Sequence, residues 1–395
     1  MNTGRTKAPL INFIEVNPRE TIDKGHLSKK IGMDKLQPFC RDIQEYEIAE
    51  FNGGAKFRNS DTIMARITPC LENGKIAMVN VLDENEVGFG STEYIVFRAK
   101  KGLTIPDFVY YLVSSSIVRN PAIKSMVGSS GRQRVQIDVV KNIEICFPSI
   151  SEQFKIASIL KALDDKIALN NKINNNLAEQ SQAIFAEFMC KYPYVLSPLG
   201  DMAEIIDCLH SKKPKAVNGT TYQLLQLNNI TDSGFLDLSS KYYISKSDYE
   251  NWTRKCEIVE GDCVITNVGR IGAVSQAPNG THAAMGRNMT CIRLRNDKPF
   301  YSYLITALLS PHIRREIMKN TDEGTIMGAL NVKNIPLLLF PMFALPTMNA
   351  LEDLLSPIRK AIEQNYLSNQ MLSLLRDSLL PRLMSGELDV SNIEI

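Results

Sequence analysis

The amino-acid sequence predicts an α+β chain in which two similar mixed α/β domains are separated by two long helices that form an antiparallel coiled coil. Its 395 residues exceed the size of an ordinary single domain. A long periodic segment occurs twice, 195 positions apart, which makes the chain a pseudo-twofold internal repeat. The apolar share of 44% and the charged share of 22% are typical of a globular chain that buries a core.

Each long helix is predicted from apolar residues spaced alternately four and three positions apart, which is the seam of a coiled coil. The helices should cover about residues 152–189 and 349–384. The first seam comprises Ile156, Leu160, Leu163, Ile167, Asn170, Asn174, Leu177, Ser181, Ile184 and Phe188. The second seam comprises Leu351, Leu355, Ile358, Ile362, Asn365, Asn369, Leu372, Arg376, Leu379 and Leu383. Because apolar and polar positions coincide, we interpret the segments as copies of one element rather than as two unrelated amphipathic helices.

Two asparagines near the middle of each seam are predicted to fix the register of the coiled coil. A shifted pairing would set a buried Asn opposite a leucine and cost stability. An antiparallel pairing places Asn170 near Asn369 and Asn174 near Asn365. A parallel pairing, which the pattern also allows, places Asn170 near Asn365 instead. We favour the antiparallel pairing because a single chain with a large domain between its helices can close in that way.

Prolines and carboxylates give further expectations for the helices. Pro357 is expected to kink the second helix or to mark its first turn. Pro381 is expected to bend or end the last turn, with Gly386 completing the stop. Asp164 and Asp165 are expected on the exposed, solvated face of the first helix.

The segments outside the helices repeat as well. The letters KNI followed by FP lead into the first helix at residues 141–148 and recur at residues 333–341. Short β-branched runs bounded by Gly, Asn and Asp predict mixed strands, and residues 110–113 and 303–306 each predict a helix. The predicted parts, in the order domain, helix, domain, helix with tail, are residues 1–150, 151–192, 193–346 and 347–395.

Motifs for catalysis and for metal binding are missing from the sequence. The nearest match to a nucleotide-binding P-loop is Gly74-Lys75, but Ile76 follows where the motif needs Ser or Thr. The sequence has no Pro-Pro dipeptide, which the catalytic loop of amino-methyltransferases contains. No Gly-x-Gly-x-x-Gly motif for dinucleotide binding follows a predicted strand. The four histidines stand singly and the eight cysteines form no C-x-x-C pair. The N-terminus lacks the apolar stretch of a signal peptide. We therefore expect a cytoplasmic chain with reduced cysteines, no catalytic residues, no metal and no cofactor of its own.

The remaining polar chemistry is suited to reading double-stranded DNA. Since the net charge is only +2, the basic groups must be placed locally. Arg pairs with guanine edges or phosphate, and Gln pairs with adenine. The loop at residues 128–134 can therefore both position the protein on the DNA backbone and recognise specific bases. The candidate DNA-binding residues are Arg66, Lys75, Arg132, Gln133 and Arg134 in the first domain and Lys213, Arg270, Arg287 and Asn288 in the second. Their placement in equivalent parts of two repeats favours this interpretation.

Several stretches resemble a known family. They are residues 65–75 (ARITPCLENGK), 88–92 (GFGST), 148–153 (PSISEQ), 163–167 (LDDKI) and 375–388 (LRDSLLPRLMSGEL). On these motifs and their order, the sequence resembles the specificity (S) subunit of type I restriction–modification systems over essentially the whole chain. One departure is the FALP sequence that ends at Pro346, where the first repeat has Glu152 and Gln153.

The resemblance implies two target-recognition domains, each reading one half of a bipartite DNA site, with the antiparallel coiled coil setting the spacer between them. It also implies that two methyltransferase subunits dock on the helices and adjoining surfaces. Restriction and translocase subunits would join for DNA cleavage. S-adenosylmethionine, ATP and Mg would then belong to these partners, and this chain would direct DNA methylation without a cofactor of its own.

Two other classes of function stay open at this point. One is an enzyme, a fused methyltransferase or nuclease, which would bind S-adenosylmethionine as an isolated chain. The other is a coiled-coil scaffold that spaces two protein-binding domains. A mobility shift with random-sequence competitor DNA distinguishes such a scaffold from a DNA reader.

Overall fold

The computed structural model describes residues 5–129, 131–231, 234–295, 300–322, 328–391 and 393. The chain divides into two compact units. The first unit comprises residues 1–167 and 371–395, and the second unit comprises residues 168–370. The divisions fall inside the two long helices, so each helix contributes residues to both units.

The first unit contains one antiparallel sheet and one mixed sheet, packed with short helices. Its strands are β1 (Thr6–Pro9), β2 (Ile14–Val16), β3 (Leu27–Ile31), β4 (Glu47–Glu50), β5 (Lys56–Phe57), β6 (Thr62–Ala65), β7 (Ile76–Met78), β8 (Gly88–Gly90), β9 (Tyr94–Ala99) and β10 (Glu144–Phe147). Its helices are α1 (Leu10–Phe13), α2 (Pro106–Ser114), α3 (Ser116–Lys124), α4 (Ile137–Lys141) and the first part of α5 (Ile150–Lys191). The sheet orders are β2-β9-β6-β7 and β4-β3-β8-β5, and β1 pairs with β10.

The second unit has the same kinds of element. Its strands are β11 (Tyr194–Pro198), β12 (Ala203–Asp207), β13 (Gln223–Leu224), β14 (Glu257–Val259), β15 (Cys263–Thr266), β16 (Val274–Gln276), β17 (His282–Ala284), β18 (Met289–Leu294), β19 (Thr321–Asp322), β20 (Ala329–Leu330) and β21 (Leu339–Phe343). Its helices are α6 (Leu199–Met202), α7 (Lys246–Trp252), α8 (Tyr301–Leu308), α9 (Pro311–Lys319) and the first part of α10 (Leu345–Ser385), with 3-10 helices at Leu227–Asn229 and Val332–Leu337.

The two units share one strand topology. The sheet order β12-β18-β15-β16 in the second unit repeats the order β2-β9-β6-β7 of the first unit. In the second sheet of each unit, a central strand pairs parallel with one neighbour and antiparallel with another: β8 with β3 and β5, and β17 with β13 and β14. The helices predicted at residues 110–113 and 303–306 are present as α2 and α8. The internal repeat predicted from sequence is therefore present in the fold.

The two long helices carry the predicted seams. Every seam residue of α5 and α10 is buried or half-buried. In the first unit, Ile156, Leu160 and Leu383 belong to one apolar core, and in the second unit Leu351 and Leu355 belong to another. Apolar packing of this kind stabilises helices far more than intrinsic propensity does. Within the part of the chain that the structure describes, no helix has the length and apolarity needed to cross a membrane.

The second long helix includes both Pro357 and Pro381. Helix α10 begins at Leu345, so Pro357 does not mark its first turn. The helix continues past Pro381 to Ser385, close to the predicted end near residue 384. Pro381 therefore does not end the helix, and the alternative that it bends the last turn stays a prediction. The stop at Gly386 is as predicted, because this glycine has a φ of 80°.

Asp164 is not on a solvated face, and that prediction is wrong. Its side chain is 8% exposed because two groups of the first unit reach it. The hydroxyl of Tyr111 donates to Asp164 Oδ2 at 2.7 Å, and Arg376 Nη1 donates to Asp164 Oδ1 at 2.8 Å. Asp165 is half exposed as expected, although Arg41 Nη2 donates to its Oδ1 at 2.5 Å.

The departure at the start of the second helix is compensated one turn later. In the first unit, Gln153 accepts a hydrogen bond from the Ile105 N–H at 3.2 Å, at the beginning of α2. In the second unit, Glu352 accepts from the N–H groups of Ser302 and Tyr303 at 3.1 and 2.8 Å, in the first turn of α8. A carboxylate at a helix N-terminus satisfies N–H groups that have no partner within the helix. Both long helices thus brace the matching short helix of their unit.

Candidate nucleic-acid interface

In the first unit, two of the predicted arginines meet on one carboxylate. Arg66 follows β6 directly, and Arg134 forms an isolated antiparallel bridge with Ile67. Arg134 Nη2 donates to Glu93 Oε1 at 2.7 Å, and Arg66 Nε donates to Glu93 Oε2 at 3.1 Å. The sequence predicted both arginines as a DNA contact but did not predict the glutamate that holds them together.

Glu93 orients this pair electrostatically. The hydrogen bond from Arg134, with a further one from Arg66, holds the pKa of Glu93 below its usual value. The Glu93 side chain is 20% exposed, whereas that of Arg134 is 48% exposed. About half of the guanidinium-bearing side chain therefore stays accessible while its direction is fixed. Nε and Nη2 of Arg134 both donate to Glu93, which leaves the two N–H groups of Nη1 and one of Nη2 for a phosphate or a guanine edge.

The loop before Arg134 is pinned by its backbone. The N–H of Gln133 donates to Thr68 Oγ1 at 3.0 Å, and the Thr68 N–H donates to the Gln133 carbonyl at 3.0 Å. Arg132 is exposed and Gln133 is half-buried. Gly128 has a φ of 134°, and a Cβ there would lie 2.9 Å from the Arg132 carbonyl oxygen. The turn thus requires glycine, and it presents Arg132 to solvent.

Lys75 is directed to a different part of the first unit. Its Nζ donates to the carbonyl of Met33 at 2.7 Å, and its side chain is half-buried. An ammonium has three donors, so this bond leaves two for other acceptors. The structure does not bring Lys75 onto the carboxylate that joins Arg66 and Arg134.

Arg66 also lines a cleft of about 580 Å³ in the first unit. Its other polar lining includes Arg19, Lys56, Thr92 and Tyr94. Arg19 is exposed, and Lys56 Nζ donates to the Glu20 carbonyl at 3.0 Å. Neither Arg19 nor Lys56 was predicted as a candidate, because nothing in the local sequence shows that these loops converge.

In the second unit, three predicted residues share one cleft. Lys213, Arg287 and Asn288 line a cavity of about 300 Å³. The other lining residues are Leu224, Gln226, Leu227, Asn228 and Trp252. Two cations, three side-chain amides and an aromatic ring are the groups that contact phosphates and base edges in DNA complexes.

The loop that carries Arg287 and Asn288 is held close to its neighbour. A Cβ on Gly286 would lie 2.1 Å from the Leu225 carbonyl oxygen, so only glycine fits there. Asn288 has a φ of 63°, in the left-handed region that Asn tolerates better than most residues. Asn288 precedes β18 as Glu93 precedes β9, 195 positions earlier. The internal repeat was therefore the sequence signal that could have found Glu93.

Arg270 lies in another cleft of the second unit. That cleft measures about 520 Å³ and includes Arg314 and Thr321. Arg270 Nη1 donates to the Ile230 carbonyl at 3.0 Å, and the Thr266 hydroxyl donates to the Arg270 carbonyl. The predicted set of the second domain is thus divided between two clefts.

The seam asparagines form amide pairs within the second unit. Asn170 Nδ2 donates to Asn369 Oδ1 at 2.8 Å, and Asn365 Nδ2 donates to Asn174 Oδ1 at 2.8 Å. Asn369 Nδ2 also donates to Asn171 Oδ1 at 2.8 Å. These are the pairs of the antiparallel alternative, and the parallel alternative is wrong.

Comparisons with known proteins bear on this arrangement. Residues 12–179 match the family described as "Type I restriction modification DNA specificity domain". The "Type I restriction enzyme EcoAI specificity subunit" of Escherichia coli is 30% identical over 152 residues, which is 37% of this chain and 26% of that relative. The HindI specificity subunit of Haemophilus influenzae is 28% identical over 149 residues, 37% of this chain and 31% of that relative. The chain thus spans about a quarter to a third of the length of these relatives.

Longer matches are more distant. The MjaVIII specificity subunit of Methanocaldococcus jannaschii is 20% identical over 358 residues, 79% of this chain and 81% of that relative. The crystal structure of the type I restriction–modification S subunit from M. genitalium has a TM-score of 0.54 and 14% identity, covering 97% of both chains. The structural likeness confirms the predicted fold class, and the sequence matches confirm the resemblance to specificity subunits of type I restriction–modification systems.

Proposed function

We propose that this chain is the DNA sequence-specificity subunit of a type I restriction–modification complex and reads a bipartite double-stranded site. The observation that carries the proposal is the repeated topology of the two units, in each of which basic and amide side chains gather at a cleft. Two similar DNA-reading domains in one chain match a DNA site with two half-sites, in the same way that the two subunits of a dimeric DNA-binding protein match the two halves of a palindromic site. The predicted target-recognition domains, residues 1–150 and 193–346, are the proposed readers.

Different residues would supply affinity and sequence discrimination. In the first domain, Arg132, Gln133 and Arg134 would read base edges, with Arg66 and Lys75 on phosphates. In the second, Arg287 and Asn288 would read base edges, with Lys213 and Arg270 on phosphates. Phosphate contacts give salt-dependent affinity for any sequence, whereas base-edge contacts discriminate.

The paired helices would hold the two readers at a set separation. Asn170, Asn174, Asn365 and Asn369 would fix their register, because each amide pair forms in one alignment only. Binding of one half-site then raises the effective concentration of the second reader at its own half-site. The chain then binds tightly only where both short half-sites are present at the correct spacing, so the two together specify one long DNA site.

Methyltransferase subunits would dock on the apolar residues that the helices leave exposed. In the second unit, Leu169, Ile173 and Leu367 are 51%, 37% and 39% exposed. In the first unit, Met371 and Leu374 are 68% and 66% exposed. Exposed apolar side chains in groups mark protein interaction sites. S-adenosylmethionine, ATP and Mg would be held by these methyltransferase and restriction partners in the cytoplasm, and this chain would catalyse no step.

The test is half-site discrimination by the chain in complex with its methyltransferase partner. Arg134→Ala should lower the affinity for the correct site about 10- to 100-fold, because a bidentate base contact contributes about 1–3 kcal/mol. It should also abolish discrimination between base sequences in one half-site only. Arg287→Ala should do the same in the other half-site. Fluorescence anisotropy with duplexes altered in either half-site measures both effects.

The matched control is Lys141→Ala, which removes a half-buried cation that pairs with Asp138 and lines none of the described clefts. It should leave discrimination unchanged. If Arg134→Ala lowered the affinity equally for every DNA sequence, Arg134 would contact phosphate and not a base edge. Absence of any bound DNA with the methyltransferase present would overturn the proposal and favour a protein-binding scaffold.

A further inference from the structure

Three metal-ligating side chains lie together at the end of β12. Asp207 is the last residue of this strand, and Cys208 and His210 follow in the next turn. One ligand atom of each residue lies within 4.8 Å of those of the other two. His210 Nε2 lies 2.8 Å from Asp207 Oδ2. We propose that this chain binds a zinc(II) ion through Asp207, Cys208 and His210.

The burial of these groups favours a bound cation. Cys208 is 1% exposed. Asp207 Oδ1 is buried and has no hydrogen-bond partner, and a buried carboxylate oxygen without a partner costs free energy. A cation would satisfy that oxygen. The His210 side chain is 64% exposed, which leaves an entry path to the other two ligands.

The chemistry of the set matches zinc. Thiolate, imidazole and carboxylate are the three protein ligands that zinc takes, at about 2.0–2.3 Å. Ligand atoms of a tetrahedral ion are then roughly 3.3–3.8 Å apart. The three ligand atoms here lie within 4.8 Å of one another, and His210 Nε2 is 2.8 Å from Asp207 Oδ2, so small side-chain movements complete the site. One thiolate and one carboxylate neutralise the two positive charges of the ion. Three protein ligands leave a fourth position for water.

A second group is less suited to a cation. Among the described residues, Cys256, Asp262 and Cys291 also lie within 4.8 Å of one another, and all three are buried. Arg293 Nε and Nη2 donate to the two carboxylate oxygens of Asp262 at 2.8 and 2.5 Å. The guanidinium already supplies the positive charge that this carboxylate requires. A metal ion would have to displace it, whereas the groups that contact the Asp207 carboxylate are His210 and the Cys208 thiol, which are the other two proposed ligands.

The proposed ion would connect two recognition segments of the second unit. Cys208 is buried in one apolar core with Met285 and Met289, which flank the loop that carries Arg287 and Asn288. Cys208 therefore packs beside the loop whose Asn288 lines the 300 Å³ cleft. Lys213, five positions after Cys208, lines the same cleft. An ion on Cys208 would stiffen both sides of it.

The test uses the full-length chain without a histidine tag and without DNA, so its outcome is independent of the proposed DNA function. The exposed thiols are removed beforehand by Cys146→Ser and Cys190→Ser. Cobalt(II) is titrated as a spectroscopic probe, and the thiolate-to-cobalt absorption is followed. We expect one equivalent of cobalt with a thiolate band, which stoichiometric zinc removes.

Substitutions then identify the ligands. Cys208→Ser should abolish the thiolate band, and His210→Ala should weaken cobalt binding tenfold or more. His282→Ala removes another exposed histidine beside a carboxylate of the same unit and should change nothing. Zinc should raise the Tm of the parent chain but not that of Cys208→Ser. If Cys208→Ser fails to fold, the weaker cobalt binding expected for His210→Ala still tests the site, because His210 is exposed and its substitution does not disturb the core.

Two outcomes would overturn the site. One is the absence of a thiolate band in the folded parent chain. The other is a band that survives Cys208→Ser and disappears in Cys291→Ser, which would assign the metal to the group of Cys256, Asp262 and Cys291.

Discussion

Asp164 illustrates at the scale of one residue how a buried charge is tolerated. Its carboxylate accepts hydrogen bonds from Tyr111 and from Arg376, whose side chain is 12% exposed. Asp164→Ala should lower the free energy of unfolding by about 3–5 kcal/mol, because a buried guanidinium then loses its buried partner. Urea denaturation of the first unit's tertiary signal measures the loss.

A substitution on the same arginine provides the control. Asp377 also binds Arg376, at 2.8 Å, but is 61% exposed. Asp377→Ala should cost less than about 1 kcal/mol, since solvent screens an exposed pair. Equal losses for the two variants would contradict the assignment of Asp164 as the partner that matters.

At the scale of the element, the amide pairs of the helices can be tested for their effect on register. Asn170→Leu leaves the Asn369 amide opposite a leucine and should cost about 1–2 kcal/mol. The double variant with Asn369→Leu should be more stable than either single variant, because the apolar pair then buries no unpaired amide. Thermal unfolding of the four proteins of the cycle gives the coupling energy.

The exposed Asn175→Leu is the control and should change stability by less than about 0.5 kcal/mol. If the change in unfolding free energy of the double variant equals the sum of the changes of the two single variants, the two amides do not interact, whatever the distance between them.

The elements show which features a sequence can predict. The seams of α5 and α10 were predictable because a spacing of four and three residues is a local pattern, and the pairing of Asn170 with Asn369 follows from it once antiparallel closure is assumed. The extent of α10 was predictable as well, because the seam runs through Pro381 to Leu383 and Gly386 is a typical helix stop. The position of Asp164 was not predictable, because Tyr111 reaches it from a helix distant in sequence and no periodicity reports such a contact.

The candidate interface divides in the same way. Residue types suited to DNA were visible in the loops, and the structure gathers Lys213, Arg287 and Asn288 at one cleft. Arg270 lies in another cleft, and Glu93 joins two arginines that the sequence left separate. Which loops converge depends on strand order and on close backbone approaches, as at Gly286, rather than on the loop sequences themselves.

At the scale of the whole molecule, the proposed function makes helix length a determinant of DNA specificity. Seven helix-forming residues inserted after Ile167 and seven after Gln370, where the two units divide, preserve the heptad seam. Each helix lengthens by about 10 Å, which corresponds to roughly three base pairs of DNA. Methylation by the complex should then require the same two half-sites with a spacer longer by three base pairs, which mapping of methylated bases in the host genome detects. Insertion into one helix only should abolish methylation, because the seams no longer align. An unchanged spacer with both insertions would show that the helices do not set the distance between the readers.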